Sequence, residues 1–182
     1  VTSVDKNLSL QAEAQPRAGV RLSVALALGV LGLAVFLITL GAQPLTPVPW
    51  LDEGLNWGAA WSLATTGQYG LSSADGFRPF DPGTQTGPTV VVPAAVLLRL
   101  FGPDPAVARL IVGLYAAVGA VAFALFARRL LGNWRLAALA VALLLIGNPV
   151  DQVHYLSLAR QFLGETVGLG FFVLGAWLWL RA

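Results

Sequence analysis

The chain has no cysteine and no methionine, and one histidine. Without cysteine there is no disulfide framework, no thiolate metal site and no dithiol redox pair. A single histidine, His154, excludes a bis-histidine haem within this chain. Charge is scarce as well. Only 11% of the 182 residues are Asp, Glu, Lys or Arg, against 57% hydrophobic. That is too little polar surface for a water-facing domain. The basic residues are scattered rather than gathered in a stripe, so the net charge of +2 does not describe a nucleic-acid surface.

The mean hydropathy is +0.73, which points to an all-α polytopic membrane protein. Four apolar runs fit spans at about 20–41, 106–128, 134–147 and 165–180. A span needs roughly 20 residues to cross a ~30 Å hydrocarbon core at ~1.5 Å per residue. Pro44, Pro47 and Pro49 end the first run, and Trp177 and Trp179 sit at the end of the last, where interfacial tryptophans belong. Residues 1–19 are polar and are expected to be a disordered, cytoplasmic N-terminus. Residues 20–182 then form a single transmembrane module.

A fifth run, 89–101 (TVVVPAAVLLRLF), is short and carries Pro93 and Arg99. Charge decides how it is read. If it lies at the interface, Lys6, Arg17, Arg21, Arg128, Arg129, Arg135 and Arg181 are inside, and Arg78, Arg99, Arg109 and Arg160 are outside. That split of seven to four satisfies the positive-inside rule better than the six to five of a spanning segment. The expected architecture is four transmembrane helices and an external loop, 42–105. That loop holds two juxtamembrane helices, at about 51–66 and 89–101. The stretch between them, GQYGLSSADGFRPFDPGTQTGP, reads as a loop from its Gly, Pro, Ser and Asp content. The location expected is a bacterial-type cytoplasmic membrane, with the N-terminus inside.

The chemistry concentrates in PVPWLDEGLNWGAAW, residues 47–61. Asp52 and Asn56 are four apart and share one face of a helix, and Trp57 and Trp61 share a neighbouring one. Carboxylates in a first helical turn are favoured by the helix dipole whatever else they do. A carboxylate beside hydrocarbon is also a strong general base, since partial desolvation favours its protonated form. His154 and Asp151, in NPVDQVHY, are a possible pair of metal ligands, though a solvated loop histidine is the simpler reading.

The stretch LDEGLNWGAAWSLATTGQYG resembles the first external loop of GT-C superfamily glycosyltransferases, the group that includes protein O-mannosyltransferases and lipid A aminoarabinose transferases. The resemblance runs on through Gly67-Gln68-Tyr69, Thr86-Gly87-Pro88, Leu100-Phe101-Gly102 and Ala108-Arg109-Leu110 to LARQFLGETVGLG, residues 158–170. Gly87 stands where that family commonly has His or Lys. The resemblance implies a GT-C-like N-terminal module that transfers a sugar from a polyprenyl-phosphate donor on the extracytoplasmic side. It implies Asp52 as the catalytic base, Glu53 as its support and Glu165 as a second catalytic carboxylate. Arg78 or Arg160 would hold the donor phosphate, with Asn56 and Tyr69 completing the substrate-binding set. No cofactor is implied with certainty, and a divalent metal is left open. The alternative is a non-catalytic GT-C-derived scaffold subunit, because enzymes of the family have many more spans than 182 residues hold. The expected partners are membrane lipid, other membrane protein chains and, for an enzyme, the lipid-phosphate sugar, with no nucleic acid.

Overall fold

The computed structural model describes residues 18–40, 51–81, 86–146 and 155–182. The expected disordered N-terminus (as far as residue 17), the proline-marked end of the first span, and Asp151 with His154 lie outside the described residues. Seven helices are present among the described residues: α1 (Ala18–Leu40), α2 (Leu51–Thr66), α3 (Pro88–Phe101), α4 (Pro105–Leu131), α5 (Trp134–Ile146), α6 (Tyr155–Leu158) and α7 (Glu165–Trp179). Ala18 and Gly19, expected in the disordered tail, already belong to α1.

Two helices are long and apolar enough to cross a membrane, Arg21–Leu40 of α1 and Pro105–Leu131 of α4. Helices α5 and α7 have 13 and 15 residues. Those lengths correspond to about 20 and 23 Å, short of a ~30 Å core. Helix α3, with 14 residues, is also too short to cross.

Helix α4 is the axis of the bundle, in contact with α1, α3, α5 and α7. Asp104 starts it by accepting a hydrogen bond from the Ala106 amide at 2.8 Å, with Pro105 in the first turn. Gly132 ends it in the left-handed conformation, φ 66°. Helix α1 runs antiparallel to α4, with Thr39 against Gly113 and Gly32 against Val121. Helix α7 runs parallel to α4, with Phe171 beside Tyr115 and the Leu180 carbonyl beside Arg129. The α4–α7 crossing is closest at two glycines. A Cβ on Gly119 would lie 3.2 Å from Gly170 Cα and 2.6 Å from the Tyr155 hydroxyl. Small residues at that crossing allow the backbones to approach.

The all-α expectation needs one correction. Within the stretch read as a loop, Gly70–Ser73 (β1) and Gly76–Pro79 (β2) form an antiparallel hairpin in which Ser73 faces Gly76. Its strands are too short and too rich in small and polar residues to show an alternating pattern. Tertiary contacts hold it. Leu71 packs on Gly58, the Ser72 and Ser62 hydroxyls are 3.1 Å apart, and Gly70 presses against the Arg78 carbonyl, where a side chain would collide.

A core of Ala59, Ala60, Val90, Val91, Ala94, Leu98, Ala108, Val112, Phe162 and Val167 joins α2, α3, α4 and α7. It fixes the two short helices of the 51–101 region against the end of the bundle where α4 and α7 begin.

Candidate functional site

Helix α2 buries Glu53, Asn56, Ala59 and Ala60. Spacings of three and four residues put these on one face. Asp52, one position before Glu53, falls at the edge of that face and is exposed.

The inward turn of Glu53 has a partner. Arg109, in the second turn of α4, is 1% exposed and Glu53 is 3% exposed. Arg109 Nε donates to Glu53 Oε1 at 2.5 Å and Nη2 donates to Oε2 at 2.6 Å. The Phe162 amide donates to Oε1 at 2.9 Å. This bidentate fork is the strongest geometry open to a carboxylate and a guanidinium. It also answers the cost of burial, because each charge neutralises the other and the carboxylate has a further hydrogen bond.

Asn56, one turn along α2, joins three segments. Its Nδ2 donates to Thr86 Oγ1 at 2.8 Å and to the Phe162 carbonyl at 3.1 Å, while its Oδ1 accepts from the Thr86 amide at 2.7 Å. The segment before α3 and the loop before α7 are thereby tied to α2 by one amide side chain. A Cβ on Gly164 would lie 3.0 Å from Thr86 Cγ2, so the loop and the 86–87 segment pass in close contact.

Above these ties lies an open cavity of about 660 Å3. Asp52, Leu55 and Asn56 of α2 form one wall, Thr86, Gly87 and Val90 a second, and Leu163, Glu165 and Phe171 a third. Asp52 and Glu165 therefore border the same space although they lie on different elements. Glu165 opens α7, where the positive end of the helix dipole favours a carboxylate. The cavity offers two exposed carboxylates, and the paired Glu53 and Arg109 are not part of its lining. Its volume is in the range of small-ligand sites.

The seven residues singled out from the sequence take distinct places. Asp52, Asn56 and Glu165 line the cavity. Glu53 does not line it and is held in the ion pair rather than beside Asp52 as an open support. Tyr69 stands behind Thr86, stacked on Phe80 at 4.4 Å, its hydroxyl 3.4 Å from the Thr86 carbonyl. Burial raises the Tyr69 phenol above its ordinary pKa. Arg78 is on the exposed strand β2, 3.9 Å from Asp75. Arg160 is half-buried in the turn after α6. Neither arginine lines the cavity. No group of three acidic or histidine side chains able to hold a metal occurs among the described residues.

Sequence reasoning passed over Arg109 and Thr86 as site residues. The signal for Arg109 was present. It is one cation in PAVARLIVGLYAAVGAVAFALF, and a charge in an apolar helix requires a partner. Thr86 carried no signal, since its role depends on where Asn56 arrives.

Compared with protein families, with curated proteins and with solved structures, the chain matches none.

Proposed function

We propose that this chain is a membrane-embedded, GT-C-like glycosyltransferase module that transfers a sugar from a polyprenyl-phosphate donor on the extracytoplasmic side. The observation that supports the reading is the shared cavity of Asp52 and Glu165 at the end of the bundle. An exposed carboxylate positioned over a cavity suits proton abstraction from an acceptor hydroxyl as the sugar–phosphate bond opens. Asp52 is assigned that role. Glu165 orients the acceptor or stabilises the developing positive charge on the sugar. The sugar anomeric carbon gains a bond to the acceptor oxygen, the lipid phosphate leaves, and the acceptor proton passes to Asp52.

Four spans in a cytoplasmic membrane, with the N-terminus inside, complete the proposal: α1 and α4 cross at full length, and the shorter α5 and α7 cross where the bilayer thins around them. Its support is the apolar exterior. Leu22, Leu26, Val30, Leu33 and Leu37 of α1 are each more than half exposed, as are Leu139, Leu143 and Ile146 of α5 and Phe172 of α7. Faces of this kind belong against lipid or another apolar chain. The same faces favour the second reading, a non-catalytic scaffold subunit packed among other membrane chains.

The test is transfer by the full-length protein in proteoliposomes, with a polyprenyl-phosphate sugar donor and a cell-envelope acceptor. Transfer lost in Asp52→Asn and present in wild type supports the enzyme. Equal transfer in both removes Asp52 as the base. A wild type that transfers nothing while bound to other subunits supports the scaffold.

A further inference from the structure

Helix α4 begins at the end of the bundle where α7 also begins and runs for 27 residues, about 40 Å at ~1.5 Å per residue. A second opening of about 660 Å3 lies at that far end. Arg128 and Arg129 from the last turn of α4, Trp134 from the start of α5, and Trp177 and Arg181 from the end of α7 line it. Two of the guanidinium groups lie over indoles. Arg128 is 5.7 Å from the Trp134 ring and Arg181 is 4.7 Å from the Trp177 ring. Arg129 Nη2 donates to the Leu180 carbonyl at 3.3 Å. None of the three arginines forms an ion pair with a carboxylate among the described residues.

Three like charges around one concavity repel each other. The negative ends of α4 and α7 offset part of this, and an anion between the guanidinium groups would offset the rest. The indoles beneath Arg128 and Arg181 also restrict where the two guanidinium groups sit, and a guanidinium fork suits phosphate oxygens better than a simple counter-ion. Trp134 and Trp177 add the amphipathic rings that sit at headgroup depth. The same helix ends expose Leu130, Leu178 and Trp179, an apolar continuation that a free anion has no use for and an acyl chain does.

We propose that this opening binds the phosphodiester headgroup of an anionic membrane phospholipid, held by Arg128, Arg129 and Arg181 with its acyl chains against the apolar helix ends. The inference rests on the membrane location proposed above and not on the transferase activity. Basic pockets between helix ends are suited to such headgroups, and each basic residue near the surface adds to the attraction.

The test uses the full-length protein in detergent micelles and in nanodiscs, with phosphatidylglycerol, phosphatidylcholine and inorganic phosphate as probes and native mass spectrometry as readout. The expected result is one retained phosphatidylglycerol, preferred over phosphatidylcholine by roughly tenfold or more, and not displaced by millimolar inorganic phosphate. The triple variant Arg128→Gln, Arg129→Gln, Arg181→Gln should bind the two lipids equally. The corresponding triple lysine variant should keep part of the preference, which separates lost charge from lost folding. Equal affinity of the wild type for both lipids would overturn the inference, as would displacement by inorganic phosphate alone. A chain that enters neither phosphatidylcholine nanodiscs nor micelles would remove the membrane location itself, and the headgroup site with it.

Discussion

Glu53 and Arg109, 56 positions apart in sequence, form a buried, bidentate ion pair that Phe162 links to Asn56, a residue lining the cavity that Asp52 and Glu165 border. Two adjacent carboxylates thus have different surroundings. One is neutralised by a guanidinium and a backbone amide, and the other stands in the open.

Removing one partner of that pair should be costly. Glu53→Ala or Arg109→Ala leaves an uncompensated charge in the core, a loss of about 3–5 kcal/mol. Asp52→Ala, at an exposed position, should change stability by no more than about 0.5 kcal/mol. Thermal unfolding of the purified protein in detergent, followed by circular dichroism, checks both. Equal destabilisation by all three would mean that the pair is not the anchor of the site.

Activity should divide the other way. On the proposed transferase reading, Asp52→Asn should lower transfer by roughly 10²–10⁴-fold with only the small stability loss, about 0.5 kcal/mol, of a first-turn carboxylate. Glu165→Gln should also lower transfer while costing no more than about 1 kcal/mol of stability, the share of the helix dipole at the start of α7. A full kinetic comparison of wild type with the two variants measures this, and a Glu165→Gln protein as active as wild type would leave Asp52 as the lone working carboxylate.

The α4–α7 crossing offers a test of packing. Gly119→Ala brings a methyl group within 2.6 Å of the Tyr155 hydroxyl and 3.2 Å of Gly170 Cα, and overpacking of this kind costs about 1–3 kcal/mol. Tyr155→Phe removes the hydroxyl, together with its 2.6 Å hydrogen bond to the Ala116 carbonyl. The double variant should therefore be less destabilised than the sum of the single ones. Additive losses in unfolding measurements would show that the hydroxyl is not what the methyl group meets.

Topology is open to a direct measurement because these 182 residues contain no cysteine. In the proposed orientation Asp75→Cys, at the tip of the hairpin, should react with an impermeant maleimide in intact cells. Asn133→Cys, between α4 and α5, should react only after permeabilisation. The reverse pattern would invert the orientation, and labelling of both from outside would end the four-span reading.

Helix positions were legible in the sequence wherever a single local property decides them. Apolar runs expected at 106–128 and 134–147 correspond to helices Pro105–Leu131 and Trp134–Ile146, because length and hydropathy, and for the first a proline start and a glycine stop, are all read within one segment. The same holds for α2, where 51–66 was expected and Leu51–Thr66 is helical. The hairpin at 70–79 was not legible, because its residues have weak strand preference and are held by Gly58 and Ser62 of another element.

The site shows the same division more sharply. From the sequence alone, Asp52 was placed on one helix face with Asn56 and Glu53 was given a supporting role, but which carboxylate faces inward depends on how α2 is rotated about its axis, and it is Glu53 that is buried with Asn56. That rotation is set by Arg109, 56 residues away, and by Asn56 reaching Thr86 and the Phe162 carbonyl, 30 and 106 residues away. The sequence by itself determined the helices, their apolar character and the presence of a carboxylate pair, since each depends on neighbours along the chain. Tertiary structure alone decided that Glu53 is bound to Arg109 while Asp52 shares a cavity with Glu165, because a buried charge turns toward a counter-charge within reach, and that reach is defined only once the helices have packed.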